Sequence, residues 1–500
     1  MSGSQDREVR FVDTTLRDGQ ESLWATGLRI GMILPVLSRF DEAGFDAVEV
    51  IATTNFKKQI RDLKENPWER IRLIAERVRK TPLRAVRNRY MAAFQITPRA
   101  ISDLFLERLA AHGIDEIRLS DPSNTARYWK EIMAAATRAG LRTVINLIYS
   151  ISPRHTDEYY MRKTGEAAQL KPYRICLKDP SGLLTPERLR TLMPLILQNS
   201  GGIAVELHPH CNTGLGPLAA LEAVRQGVRC VNTALPPLAH GSSNPSLFNI
   251  SRNLRALGYR PVLDEAPLAP ISKHLECVAR HNGFAIGTPL EYSEFHVTHQ
   301  VPGGMISNFR HQLRIAGMEQ RLPEVLEEIG RVRAELGYPI MVTPYSQFVG
   351  VQATLNVILG ERYKEVSDEM IQYTLGFWGE EECEAISPNV KDRILDRPRA
   401  REIAGWHPPQ PSTQQLKERL GAPGISDDDL LLIYFSSQQE ASAMKTAAAG
   451  ERRGCVRHPL VDLLAALAKE RGPTRVHIQT GNLSLYLEQR GKLVPSGRKE

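Results

Sequence analysis

Residues Leu109-Ala-Ala-His-Gly-Ile-Asp-Glu-Ile-Arg-Leu-Ser120 read as three pieces: the apolar end of a helix, a glycine, and a short strand-like run. Glycine suits the left-handed residue that ends a helix before the chain turns into a strand. The same joint recurs at Gly44-Phe45-Asp46, Gly140-Leu141-Arg142 and Gly227-Val228-Arg229, so the repeating unit is a helix followed by a strand. Strand-like runs rich in β-branched and aliphatic residues fall at 11–16, 47–52, 83–87, 116–119, 143–149, 174–178, 203–207 and 230–235. Eight strands alternating with helices over roughly 240 residues predict an α/β fold, a (β/α)8 TIM barrel. Ahead of the second strand, Ile30, Ile33, Leu34, Leu37 and Phe40 keep helical spacing, with Pro35 imposing a kink or a later start.

Beyond the barrel, residues 322–336 and 341–379 read mostly helical, and the proline-rich stretch 396–411 reads as a linker. An amphipathic helix at 460–471 and alternating runs at 475–479 and 483–489 predict a small α+β module. The expected organisation is a barrel over 8–305, a helical domain over 306–400, and a linker with the small module over 401–500. The 500-residue length exceeds what one core usually serves. No apolar run approaches the ~20 residues of a membrane span, and the polar residues 1–10 lack a signal-peptide core, so cytoplasm is the expected location. Six scattered cysteines without a CxxC pair predict reduced thiols. The net charge of +7 is dispersed among acids, which favours anionic substrates or an acidic partner over nucleic acid.

Reactive groups of a TIM barrel lie where strands end at its C-terminal face. Asp18 follows the first strand, Lys178 closes the sixth, and His208 and His210 close the seventh. Two histidines at i and i+2 on a strand end point to one side and suit chelation of a divalent ion, with a carboxylate from another strand completing the set. Each residue alone has a plainer reading: a surface turn for His208-Pro-His210, a surface ion for Asp18, a pair with Asp179 for Lys178. Their joint placement at three strand ends favours metal. An ammonium carries no lone pair, so Lys178 becomes a ligand only if carbon dioxide converts its amine to an anionic carbamate.

Asp13-Thr-Thr-Leu-Arg-Asp-Gly19, Leu177-Lys-Asp-Pro-Ser-Gly-Leu-Leu184 and His208-Pro-His-Cys-Asn-Thr-Gly214 resemble the carboxyltransferase domain of the biotin-dependent carboxylases. Val301-Pro-Gly-Gly-Met305 and Pro339-Ile-Met-Val-Thr-Pro-Tyr-Ser-Gln347 look like that family's continuation. The first motif is also found in isopropylmalate synthases and hydroxymethylglutaryl-CoA lyases. The resemblance implies that Asp18, His208, His210 and a carboxylated Lys178 ligate zinc, manganese or cobalt. It further implies transfer of a carboxyl group between carboxybiotin and a 2-oxo acid. It places Arg84 at the end of strand three against the reacting carbonyls, with Arg87 a rival, and Ser242 as the hydroxyl that moves a proton to and from biotin. Arg17 and Gln20 accompany Glu21 in the first loop as catalytic candidates. Glu21 departs from the family's glutamine: an ionised glutamate only accepts hydrogen bonds, which leaves the acceptor acid open.

Ala443-Met-Lys-Thr446 mimics a biotin attachment site, but its surroundings read helical where a biotinyl hairpin needs strands. The expected partners are therefore a separate biotin carboxyl carrier protein and a biotin carboxylase subunit, with a homodimer inside a larger complex. Two other readings stay open on sequence: a biotin-independent lyase or synthase of the same superfamily, and a scaffold subunit without catalysis. Metal content discriminates the second.

Overall fold

The computed structural model describes residues 7–92, 95–301, 309–310, 313–315, 317–450, 474–480 and 483–489. The expected helix at 460–471 and most of the Val301-Pro-Gly-Gly-Met305 motif lie outside these residues.

Eight parallel strands close on themselves: β1 (Glu8–Asp13), β2 (Ala47–Ala52), β3 (Leu83–Asn88), β4 (Glu116–Ser120), β5 (Arg142–Ile148), β6 (Arg174–Asp179), β7 (Val205–Pro209) and β8 (Cys230–Thr233). Closure runs through β1, which pairs with β8 at Arg10↔Cys230 and with β2 at Val12↔Ala47. Gly44, Gly113, Gly140 and Gly227 all take positive φ, as the helix–strand joint requires. Pro35 acts as expected, since a 3-10 turn over Leu34–Val36 separates helices Ile30–Ile33 and Leu37–Glu42.

The first strand ends three residues earlier than its apolar pattern suggests. The Asp13 carboxylate accepts hydrogen bonds from the Thr15 backbone N–H at 3.1 Å and the Thr15 hydroxyl at 2.7 Å, and the chain turns there into a π-helical turn over Thr15–Gly19. That turn delivers Arg17 and Asp18 to the barrel mouth. Inside the barrel the filling is unusually polar. Arg84, Glu116, Glu206, Glu49, Arg118 and Asn232 are each fully buried there, where branched aliphatics are the ordinary choice. The aliphatic surface lies between the strands and the surrounding helices, among residues such as Ile117, Leu119, Ile145 and Leu207.

After the barrel, helices Leu322–Glu335 and Tyr345–Leu359 pack together and join an aromatic cluster of Tyr345, Phe348, Tyr373 and Trp378. Tyr90, just past β3, meets Trp378 at 4.7 Å, and the hydroxyls of Ser123 and Tyr345 share a 2.5 Å hydrogen bond. The helical region is thereby fastened to the mouth of the barrel.

The stretch expected as a linker contains helix Pro398–Ala404, with proline in its first turn, where its missing N–H costs nothing. Three more helices, Thr413–Arg419, Asp427–Phe435 and Gln438–Gly450, fall in one compact unit with the barrel, which extends to Gly450. The reason is an apolar plug. Phe435 stacks on Phe56 at 4.6 Å and lies edge-on to Phe105 at 5.4 Å, while Asp428 accepts from Arg108 at 2.7 Å and faces His112 at 2.9 Å. Phe435→Ala is expected to cost about 3–5 kcal/mol in denaturant unfolding. A loss below about 1 kcal/mol would detach residues 413–450 from the cooperative unit. The second unit contains an antiparallel hairpin, Thr474–Thr480 with Leu483–Gln489. No helix among the described residues is long and apolar enough to cross a membrane.

Candidate metal centre

Three side chains converge in the barrel mouth, one from the first loop and two from the end of β7. The Asp18 carboxylate lies 3.1 Å from His208 Nε2 and 3.6 Å from His210 Nε2, and the two Nε2 atoms are 3.3 Å apart. All three residues are buried. His210 Nδ1 sits 2.7 Å from the Ser242 carbonyl, which can only accept, so Nδ1 carries the proton. His208 Nδ1 sits 2.9 Å from Asn232 Oδ1, which accepts, and 2.9 Å from Arg118 Nη1, which can only donate, so its neighbours do not assign its proton. His210 therefore turns a bare Nε2 toward His208 Nε2 and the Asp18 carboxylate. Around a cation these three atoms form a facial donor set, with His210 held by its outer hydrogen bond to the Ser242 carbonyl. The residues present therefore fit a divalent ion.

Burial is the larger influence on Asp18 and opposes its ionisation, yet the Arg17 guanidinium and both imidazoles hold the carboxyl well below the usual range. Burial and the Arg118 guanidinium hold His208 far below the ordinary imidazole value, so it stays neutral. Lys178, next to last in β6, pairs in register with His208. Burial lowers its ammonium to about 8 against the pull of Asp18. Asp179 is not its partner: that carboxylate accepts from the backbone N–H groups of Leu183 at 2.9 Å and Leu184 at 2.7 Å, which folds the following loop.

A closed ring of charged and polar groups supports the centre. Arg17 Nη2 meets Asp18 at 2.6 Å, and its Nε donates to Glu49 at 2.5 Å. Glu49 meets Arg118 at 2.8 Å, Arg118 donates to Asn232 Oδ1 at 3.0 Å, and Asn232 orients His208, which returns to Asp18. Glu49, Arg118 and Asn232 are absent from the sequence-derived site. Their signal was present in the charges inside the runs Ala47-Val-Glu-Val50 and Glu116-Ile-Arg-Leu119, since an ionised residue in a doubly buried strand needs a partner.

The other candidates are distributed differently from expectation. Arg84 stands near the start of β3, deep in the barrel, donating to Glu116 at 2.9 Å and to Glu206 at 2.7 Å; it cannot reach the mouth. Arg87 points outward and donates to Ser102 at 2.8 Å, with Tyr128 as a further partner. Alternation from Arg84 brings Asn88, a neutral amide, to the inward position at the end of β3. Glu21 accepts from the Thr54 hydroxyl and the Asn55 amide, both at 3.1 Å, with Arg17 Nη1 at 3.6 Å. It thus acts as an acceptor facing the end of β2. Gln20 is buried, and its side-chain oxygen has no hydrogen-bond partner. The Ser242 hydroxyl donates to the Ser22 carbonyl at 3.1 Å, beside the loop that orients His210. Lys445 lies within helix Gln438–Gly450, where no biotinyl hairpin exists.

Residues 8–275 match the HMGL-like family, and residues 297–475 match the conserved carboxylase domain. A pyruvate carboxylase subunit of Methanocaldococcus jannaschii is 36% identical over 390 residues, spanning 78% of this chain and 68% of that protein. The methylmalonyl-CoA carboxyltransferase 5S subunit of Propionibacterium freudenreichii subsp. shermanii is 32% identical over 379 residues, spanning 75% and 74%. The 2-oxoglutarate carboxylase large subunit of Hydrogenobacter thermophilus is 31% identical over 431 residues, spanning 85% of this chain and 62% of that protein. In fold, the chain is similar to the carboxyl transferase domain of Rhizobium etli pyruvate carboxylase, with a TM-score of 0.78 at 21% identity over 97% of this chain and 85% of that one.

Proposed function

Given that the chain belongs to the carboxyltransferase family of biotin-dependent carboxylases, we propose that it moves a carboxyl group between carboxybiotin on a separate carrier protein and a small 2-oxo acid such as pyruvate. The observation that carries this reading is the convergence of the Asp18 carboxylate with His208 Nε2 and His210 Nε2, buried in the barrel mouth. Those three residues and Lys178 would hold a divalent ion, of which zinc, manganese and cobalt suit the donors. Such an ion supplies Lewis-acid charge beside an oxygen that becomes negative as the acceptor forms its enolate.

Lys178 joins the set as a carbamate. Its uncharged amine, favoured by burial, adds its lone pair to carbon dioxide, a C–N bond forms, and one proton leaves for solvent. In the transfer itself the N–C bond of carboxybiotin breaks and the acceptor's methyl carbon gains the carboxyl group. The methyl proton passes to the biotin nitrogen, with Ser242 as the carrier hydroxyl. Arg17 keeps the Asp18 carboxylate ionised throughout. The carrier and the biotin carboxylase are separate polypeptides in this reading, acting in the cytoplasm, and the chain is a homodimer within that assembly.

The test is carrier-dependent decarboxylation of oxaloacetate to pyruvate by the metal-loaded chain. Activity that needs the biotinylated carrier and disappears with a chelator supports the reading. Carbon–carbon cleavage of an acyl-CoA without any carrier would replace it with a lyase.

A further inference from the structure

We infer that the Asn244 amide is the hydrogen-bond donor that meets the ketone oxygen of the acceptor as that oxygen turns negative in the enolate. The inference rests on the carboxyltransferase reading above. Asn244 is fully buried in the loop after β8, and both ends of its amide are pinned. Its Oδ1 accepts from the Thr14 hydroxyl at 2.6 Å. Its other amide atom lies 2.7 Å from the Pro209 carbonyl, which can only accept, so that atom is the nitrogen and one of its two N–H groups is used there. The same nitrogen stands 3.4 Å from His208 Nε2, which belongs to the donor set itself.

The second N–H of Asn244 decides the assignment. Whichever nitrogen of His208 carries the proton in the empty site, a cation held by the set draws on the Nε2 lone pair, and that atom then accepts nothing. A buried N–H left without an acceptor costs free energy, so the loaded site calls for an oxygen within reach of this amide. The protein's own oxygens at the centre are engaged: Asp18 by Arg17 at 2.6 Å and by the Ser22 hydroxyl at 3.0 Å, and the Pro209 carbonyl by the first N–H. Lys178 stands on β6, across β7 from the β8 loop that brings Asn244, so a group on its amine approaches His208 from the other flank. The remaining acceptor is an oxygen of the substrate beside the ion. A donor pinned by Thr14 and Pro209 suits an oxygen whose charge grows during the reaction, because no reorientation is needed when the charge appears.

Calorimetric titration of the metal-loaded full chain with pyruvate and with oxalate, a planar dianion shaped like the enolate, tests the assignment, with metal counted by elemental analysis after dialysis. Asn244→Ala is expected to keep about one equivalent of metal, to weaken oxalate about tenfold or more, and to change pyruvate by about twofold or less. With the biotinylated carrier, kcat should fall about 100-fold with KM little changed, since the lost contact forms only as charge develops. Thr14→Val keeps the side-chain shape and releases Oδ1, so it should weaken oxalate in the same sense by a smaller factor; it carries the decision if Asn244→Ala does not melt cooperatively, and unchanged oxalate binding in it then overturns the assignment. Loss of metal from a folded Asn244→Ala overturns it too and makes the residue a support of the ligands. Oxalate binding within about twofold of wild type in that variant overturns it and leaves the carboxyltransferase reading standing. A metal-loaded wild type without carrier-dependent transfer overturns that reading, and this inference with it.

Discussion

His208→Ala and Asp18→Asn are each expected to strip the divalent ion that the wild-type chain holds at about one equivalent, and to abolish carboxyl transfer. Elemental analysis after dialysis measures the first effect and the oxaloacetate assay the second. Each substitution removes one of the donors that stand within 3.6 Å of another in a buried mouth, and no neighbouring carboxylate is free to replace it, because Glu49 and Asp179 are held by Arg17, Arg118 and the loop backbone. Lys178→Ala separates two versions of the site. If the carbamate is a ligand, this variant also loses metal, and wild-type loading rises with added bicarbonate as the pH climbs toward about 8, where the amine of Lys178 becomes uncharged. If Lys178→Ala keeps a full equivalent, three protein donors suffice and the carbamate is discarded. A wild type that takes up no divalent ion removes the centre altogether.

What the sequence disclosed about this site follows from which physical signals are local. The glycine joints made the repeating unit legible, and with it the strand ends that carry Asp18, Lys178, His208 and His210. The second strand, Ala47–Ala52, falls where its aliphatic run places it. The first does not, because the hydrogen bonds that Thr15 donates back to the Asp13 carboxylate outweigh the apolar pattern that continues to Leu16. Arg84 was misplaced for a different reason. Both faces of a barrel strand are buried, so periodicity cannot separate the inward from the outward side, nor the deep from the shallow end. Only tertiary contacts, here with Glu116 and Glu206, decide it. The division after Gly450 was hidden because Phe435 and Asp428 act on residues more than three hundred positions earlier.

Arg118→Met is expected to weaken metal binding about 10- to 100-fold while leaving every ligand in place. Arg118 is fully buried, meets Glu49 at 2.8 Å, donates to Asn232 Oδ1 at 3.0 Å and stands 2.9 Å from His208 Nδ1. Removing it takes away the contact that fixes the His208 ring through Nδ1, so the ring can turn its Nε2 out of line with Asp18 and His210. It also leaves Glu49 with Arg17 as its one remaining cation, and breaking a buried pair by deleting one partner costs about 3–5 kcal/mol. The two consequences separate in the double variant Arg118→Met with Glu49→Leu. Replacing a whole buried pair by apolar side chains is often neutral for stability, so unfolding should return toward wild type, whereas metal affinity should stay low because His208 still lacks its Arg118 contact. Arg118 is then a positioning residue whose effect runs through His208. Metal affinity in Arg118→Met within about twofold of wild type would reduce it to a structural ion pair, and a double variant that regains both properties would do the same.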